Sequence, residues 1–147
     1  MTDFFDNLQV ATRIDGPSYT VSRESIREFC EASLDFNPLH LDDDYMKGRF
    51  GQTTFGGIIM HGMNNFGLLT RMLTDWAYGR GGVHRRLETR WLVPVKPGDT
   101  IRPAGEVKAK QRTEKSRWVT VTVKVTNQRG EAVASGEALV EFPIESA

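Results

Sequence analysis

A carboxylate and an imidazole lie five positions apart in the hexapeptide at residues 35–40, which reads Asp-Phe-Asn-Pro-Leu-His. Asp35 supplies a charged hydrogen-bond acceptor, and His40 supplies a group that changes protonation near neutral pH. Because Pro38 restricts Asn37 to extended geometry, the turn that holds the two groups is stiff. Such a turn could position a water molecule or move a proton. The same residues are also typical of an ordinary turn with a hydrogen-bonded histidine, and the spacing alone leaves both interpretations open.

A second segment whose residues could take part in a reaction is the glycine-containing stretch at residues 55–63, Phe-Gly-Gly-Ile-Ile-Met-His-Gly-Met. Glycines at the start of a helix let a ligand approach bare backbone N–H groups, and the helix dipole favours developing negative charge there. Small residues at the same place also allow a helix to pack closely against a sheet. The two interpretations are about equally supported by the pattern, with packing slightly ahead.

Two helices are predicted around these segments. Ser22 is a good N-cap for a short amphipathic helix over Arg23–Ser33, which must end near Pro38. A longer helix with a wide apolar stripe follows and ends at the glycines of residues 79–82. The apolar residues that recur at its three-to-four spacing are Ile59, Met63, Phe66, Leu69, Met72, Leu73 and Trp76.

The last third of the chain changes to a period of two, which indicates strands. Four long antiparallel strands are predicted, near residues 83–93, 100–112, 119–125 and 132–142. Because Pro103 and Gly105 interrupt the second of these, we expect it to be an edge strand or a bulged strand. Residues 1–18 are expected to form an irregular lead-in. The order of elements predicts an α+β domain in which the sheet can wrap one helix.

Composition limits the functions that this chain can have. Its 147 residues fit a single domain over 1–147, and the 19 basic side chains balance the 19 acidic ones. That balance argues against nucleic-acid binding, and no apolar run approaches the roughly 20 residues that span a bilayer. The N-terminus does not resemble a secretory signal, and the single Cys30 cannot form an internal disulfide. We therefore expect a cytoplasmic protein without a nucleic-acid or membrane partner.

The two chemical segments together resemble the hydratase motif of the MaoC-like, (R)-specific enoyl-CoA hydratases. In that motif the hexapeptide at 35–40 is followed by His61-Gly62-Met63 at the start of a long apolar helix. The segment at 91–100, Trp-Leu-Val-Pro-Val-Lys-Pro-Gly-Asp-Thr, is similar to the family's strand-to-turn pattern. The resemblance covers roughly residues 19–142. It implies a hot-dog fold, in which a curled antiparallel sheet wraps one long helix and two subunits pair their sheets.

The resemblance also implies an activity and its residues. Asp35 and His40 would hold a water molecule and add it across the double bond of a 2-enoyl-CoA, giving (R)-3-hydroxyacyl-CoA, or catalyse the reverse reaction. The N–H of Gly62 would bind the thioester oxygen as it gains enolate charge. His61 and Met63 are expected at the substrate pocket.

Asn37, also assigned to the substrate site, is expected to shape the turn. The coenzyme A thioester is the substrate, and no further cofactor is expected. A homodimer is implied, and a higher oligomer stays open.

Two alternative functions remain at this point. A hot-dog acyl-CoA thioesterase commonly carries a carboxylate on the central helix, where Asp75 is the only acid and lies near the far end. A non-catalytic acyl-CoA-binding subunit is the second alternative, which a complete set of Asp35, His40 and Gly62 argues against. No metal site is expected, because the consecutive acids at residues 42–44 do not point to one centre. The acyl chain, the carrier and the pathway are left undetermined.

Overall fold

The computed structural model describes residues 4–50 and 53–144. Within them the helices are α1 (Phe4–Asn7), α2 (Arg23–Ser33) and α3 (Gly62–Tyr78), and two 3₁₀ turns lie at Pro38–His40 and Tyr45–Lys47. The strands are β1 (Arg13–Asp15), β2 (Tyr19–Thr20), β3 (Val83–Trp91), β4 (Thr100–Arg112), β5 (Arg117–Thr126) and β6 (Ala132–Phe142). None of these helices combines the length and the apolar character needed to cross a lipid bilayer.

The strands form one curled antiparallel sheet around the long central helix α3, which confirms the predicted hot-dog architecture. The order is β1-β4-β5-β6-β3, and β2 pairs with β4 beside this path. Alternate side chains of β5 from Val119 to Val125 are buried, as their period of two predicted. Leu69, Met72 and Leu73 of α3 are buried in the same core cluster. The central helix and the inner face of the sheet therefore bury each other's apolar surface.

Helix α2 has the bounds that the sequence predicted. Ser22 caps it through a reciprocal pair of hydrogen bonds: the Ser25 N–H donates to Ser22 Oγ at 3.0 Å, and the Ser22 N–H donates to Ser25 Oγ at 2.9 Å. Leu34 ends the helix in the left-handed conformation, with φ of 60°. The helix therefore stops before the proline and releases Asp35 into an irregular turn.

The prediction of an irregular lead-in over residues 1–18 is wrong for α1 and β1. Phe5 and Ile14 are both buried, and β1 pairs with β4 from Arg13 opposite Glu106 to Asp15 opposite Ala104. Tertiary contacts stabilise these short elements: β1 pairs with β4, and Phe5 and Ile14 pack into the core. Three-residue and four-residue segments carry too little periodicity to predict this from sequence.

Strand β4 is bulged but it is not an edge strand. It pairs with β5 on one side and with β1 and β2 on the other. Its register shift lies between Val107 and Ala109, after the residues that suggested it. Gly105 is explained by packing instead, because a Cβ there would come within 2.8 Å of a Val121 methyl group.

Strand β3 has a paired neighbour, β6, on one side only among the described strands. The two backbones approach so closely at Gly136 that a Cβ there would lie 1.8 Å from the Glu88 carbonyl oxygen. Trp91, at the end of β3, is half exposed, and so is Leu92 beside it. The Trp91 indole lies against the start of α3, where the candidate site lies.

Candidate active site

The turn after α2 holds the Asp35 carboxylate at a fixed place. Asp35 Oδ1 accepts a hydrogen bond from the Asn37 N–H at 3.2 Å, and Asn37 Oδ1 accepts one from the Leu39 N–H at 3.1 Å. Asn37 is the N-cap of the 3₁₀ turn Pro38–His40. Asn37 therefore shapes the turn that carries Asp35 and His40. One carboxylate oxygen is used in that turn, which leaves Oδ2 for other contacts.

Asp35 and His40 are brought together at the end of this turn. His40 is buried, and its Nδ1–H donates a hydrogen bond of 2.7 Å to the Ile59 carbonyl oxygen. In the neutral imidazole the other nitrogen, Nε2, is then an acceptor, and it lies 3.9 Å from Asp35 Oδ2. Two acceptors cannot form a hydrogen bond with each other, but one water molecule between them can donate a hydrogen bond to each. This arrangement leaves a lone pair of the water oxygen free to react.

His61 contacts both Asp35 and His40. Its Nε2–H donates to the backbone carbonyl oxygen of Asp35 at 3.1 Å. Its ring stacks on the His40 ring with centroids 3.5 Å apart and planes 19° apart, and the Phe29 ring lies against it at 4.7 Å. Only 2% of His61 is exposed. His61 therefore fixes the positions of both Asp35 and His40, a role that the expectation of a pocket wall did not include.

The surroundings of His61 favour its neutral form. Burial lowers the pKa of His61, and the adjacent His40 ring lowers this pKa further. The bond to the Asp35 carbonyl and the Asp35 charge act in the opposite direction, but the net direction is downward. Nδ1 of His61 is enclosed with no hydrogen-bond partner among the described residues. A proton on that nitrogen would thus be a buried charge without a partner.

The donor set of this cluster suits proton chemistry better than metal binding. Asp35, His40 and His61 each bring one potential ligand atom within 4.8 Å of the others. However, the nitrogen of His61 that faces this point carries the hydrogen donated to the Asp35 carbonyl, so it has no lone pair to offer. A histidine binds a metal ion only through a ring nitrogen that carries no proton, and this nitrogen of His61 carries one.

One acid of the run at residues 42–44 has a structural role that sequence reasoning missed. Asp43 Oδ1 accepts a hydrogen bond from the Ile58 N–H at 3.2 Å, and Oδ2 lies 2.7 Å from the Arg23 guanidinium. The Arg23 hydrogen bond and that of the Ile58 N–H lower the pKa of Asp43. This carboxylate ties the segment before α3 to the start of α2. An i, i+15 contact of this kind leaves no local pattern in the sequence.

The extended segment at residues 58–60 separates two cavities beside the cluster. The Ile59 N–H donates to the Leu39 carbonyl at 3.1 Å, and the Met60 N–H donates to the Val95 carbonyl at 2.7 Å. The imidazole-side cavity, about 300 Å³, is lined by Arg23, Glu24, Arg27, His40, Leu41 and Ile58. The Gly62-side cavity, about 260 Å³, is lined by residues that include Phe55, Ile59, Gly62, Asn65, Trp91 and Val95. His40 and Gly62 thus open on neighbouring cavities.

Gly62 is the first residue of α3, and no side chain of the described residues caps this helix start. A Cβ at Gly62 would come within 2.6 Å of the Trp91 indole, so only glycine lets the indole lie over the backbone here. Helix α3 begins at Gly62, as the resemblance implied, and Ile59, which the apolar spacing had included in the helix, lies before it. Met63 is 55% exposed and lines neither cavity. The structure therefore does not bring Met63 to either cavity.

Residues 7–129 match the family model described as MaoC like domain. The chain belongs to the MaoC-like domain family. The match covers the turn of Asp35 and His40, the start of α3 and the sheet through β5.

Similar proteins carry hydratase names. The (R)-specific enoyl-CoA hydratase of Aeromonas caviae is 31% identical over 118 residues, which are 80% of this chain and 84% of that protein. The structure of the A. caviae (R)-hydratase involved in PHA biosynthesis superposes with a TM-score of 0.78 at 30% identity, covering 93% of this chain and 98% of the other. A structure described as the monoamine oxidase regulatory protein of Archaeoglobus fulgius gives a TM-score of 0.83 at 31% identity, covering 97% and 95%.

The carboxylate expected of a hot-dog thioesterase is not at the site of this MaoC-like domain. Asp75 is the only acid of α3, and it lies on the far part of the helix. It is exposed and stands 3.6 Å from Arg71 Nε in an i, i+4 pair. An exposed acid that pairs with its own helix does not face the cluster of Asp35, His40 and His61.

The low pKa of His61 predicts a loss of stability in acid. The unfolded chain has the ordinary histidine pKa, about 6.5. Because the folded pKa is lower, the unfolded state binds more protons below pH 6.5 or so, and the free energy of unfolding falls as the pH decreases. The substitution His61→Gln keeps an N–H donor for Asp35 but does not titrate. We expect this variant to lose less stability than the wild type between about pH 8 and about pH 5.

Urea denaturation at the two pH values measures this difference. His84→Gln is the matched control, since burial also lowers the pKa of His84 and its contribution must be separated. Equal losses of unfolding free energy in the wild type and in His61→Gln would contradict a neutral, buried His61.

Proposed function

We propose that this MaoC-like protein hydrates the double bond of a 2-enoyl-CoA to give (R)-3-hydroxyacyl-CoA and catalyses the reverse dehydration. One observation carries the proposal: the acceptor nitrogen of His40 faces the free carboxylate oxygen of Asp35 at 3.9 Å, a spacing that suits one shared water molecule. The sequence similarity to the A. caviae hydratase supports the same reaction class. The (R) configuration rests on that similarity alone.

The proposed reaction needs a proton acceptor and a proton donor on the same face of the substrate. The water oxygen forms a bond to the β carbon while one member of the Asp35–His40 pair accepts a water proton. The pair then returns a proton to the α carbon in place of the one taken from the water, so the C=C bond becomes a single bond and both side chains regain their starting protonation. Dehydration runs through the same steps backward, so the same pair removes the α proton and returns one to the leaving hydroxyl.

The negative charge that develops on the thioester oxygen needs a fixed donor. We assign this role to the Gly62 N–H, which lies at the positive end of the α3 dipole. The proposal requires the thioester to lie across the rim between the two cavities. Its oxygen is then at Gly62 and its α and β carbons are beside Asp35 and His40. The Asp35 side chain is 53% exposed, so a substrate can reach it.

Removal of either proton-transfer group is expected to stop hydration without unfolding the protein. Asp35→Asn and His40→Gln should each lower kcat/KM by at least about 10²-fold, because each removes one proton-transfer partner of the water. The loss of ultraviolet absorbance of the conjugated enoyl thioester measures the rate. Asp44→Asn is the matched control, since Asp44 is exposed and pairs only with Lys47 in the described part of the chain.

Wild-type activity in Asp35→Asn or His40→Gln would contradict the assignment. A separate assay with a saturated acyl-CoA and a thiol reagent tests thioesterase activity. Release of free coenzyme A that survives in both variants would favour hydrolysis over hydration.

The amide role of Gly62 can be separated from its packing role. Gly62→Pro removes the N–H, and proline fits the first position of a helix. His61 before it already has the extended ψ of 132° that a residue before proline adopts. Gly62→Ala is the control, since its Cβ meets the Trp91 indole in the same way but its N–H remains.

We expect Gly62→Pro to have a kcat about 10²–10³-fold below that of Gly62→Ala. Steady-state hydration kinetics of the two variants give this ratio. Equal values of kcat would show that the amide does not stabilise the transition state.

We also propose that the protein forms a homodimer through β3. Within the described residues this strand has no partner on the side away from β6, so its backbone groups there can pair with a second copy, and Trp91 and Leu92 expose apolar surface at its end. Light scattering on the purified chain should give twice 16.6 kDa, and Leu92→Glu should lower that mass at micromolar concentration. A wild-type mass of a single chain at high concentration would contradict the dimer.

A further inference from the structure

The Gly62-side cavity contains one polar side chain that the hydration reaction does not use. Asn65 lies in α3, three residues after Gly62, and is 3% exposed. It lines the cavity together with apolar groups such as Phe55, Ile59 and Trp91. A side chain that only filled this position would be expected to be aliphatic, like most of its neighbours.

The Asn65 carboxamide is an unsatisfied polar group. Its Oδ1 is enclosed and has no hydrogen-bond partner within residues 4–50 and 53–144. Buried polar groups of folded proteins nearly always have a partner, and an unpartnered one destabilises the fold. A group of this kind at the wall of a binding cavity indicates that a ligand supplies the missing hydrogen bond.

The position of Asn65 on the helix relates it to the proposed thioester site. Residues three apart on a helix lie on the same side, with Cβ positions about 5–6 Å apart. Helical side chains also lean toward the N-terminal end of the helix, which for Asn65 is the end that carries Gly62. An acyl chain that continues from the proposed thioester site into this apolar cavity would bring its next few carbons beside the carboxamide.

We propose that Asn65 binds a hydroxyl group on the acyl chain, so the preferred substrate is a 2-enoyl-CoA with a hydroxyl on its γ, δ or ε carbon. This inference rests on the proposed function, because it uses the thioester position assigned there. A hydroxyl suits both ends of a carboxamide, since it can donate to Oδ1 and accept from the amide nitrogen. The cavity wall around it then contacts the hydrocarbon part of the chain.

Specificity constants test the proposal directly. The panel contains hydroxylated 2-enoyl-CoA thioesters with the hydroxyl at each of the three carbons, and unsubstituted thioesters of the same lengths. We expect the wild type to prefer one hydroxylated member by about tenfold or more in kcat/KM. Asn65→Leu keeps a similar volume but removes the hydrogen-bonding group, and it should abolish or reverse this preference.

Asn64→Leu is the matched control. Asn64 is also a buried asparagine of α3, but it does not line the Gly62-side cavity. We expect this variant to keep the wild-type preference. Asn65→Ala replaces Asn65→Leu if the leucine variant does not fold, because it also removes the carboxamide.

Calorimetric binding of saturated acyl-CoA thioesters, without and with a hydroxyl on the γ, δ or ε carbon, separates this inference from the proposed function. These ligands cannot be hydrated, so a preference for the hydroxylated chain that Asn65→Leu abolishes supports the inference even without turnover. Efficient hydration of unsubstituted thioesters with no hydroxyl preference would overturn the role of Asn65 and leave the proposed function intact. A uniform loss of kcat for every substrate in Asn65→Leu would also overturn it, since Asn65 would then act at the thioester oxygen.

Discussion

The hydrogen bond from the His61 ring to the Asp35 backbone carbonyl is the contact on which the site depends. It joins the start of α3 to the end of α2, and the stacked His40 ring joins both to the 3₁₀ turn. Because His61 is buried and its pKa is lowered, it fixes the geometry without adding a charge. The half-exposed Asp35 and the buried His40 can then face a common water from two different segments of the chain.

The sheet supports the cluster of Asp35, His40 and His61 because its contacts fix the position at which α3 begins. The Trp91 indole at the end of β3 lies where a Cβ of residue 62 would be, so the sheet and the helix start meet at a glycine backbone. The Met60 N–H bonds the Val95 carbonyl and holds the preceding segment in place. Gly62, the first residue of α3, consequently lines a cavity, and no side chain caps this helix start in the described part of the chain. Such a helix start suits the binding of developing negative charge.

Much of this structure could be predicted from the sequence, because local patterns determine it. The Ser22 cap fixed the start of α2, and the alternation of valines identified β5. The contact of His61 with Asp35 and the tie of Asp43 to Ile58 join residues far apart in sequence, so no periodicity could show them. Asn65 did leave a signal: it is a polar residue within the apolar stripe of a buried helix.

The most direct test of the account is the fate of the water oxygen. The purified protein is incubated with a 2-enoyl-CoA in water enriched in a heavy oxygen isotope, and the thioester products are analysed by mass spectrometry. Hydration predicts a 3-hydroxyacyl-CoA that carries one labelled oxygen on its β carbon, with coenzyme A still attached. Label that appears in a free carboxylic acid together with released coenzyme A, or no conversion at all, would contradict the account.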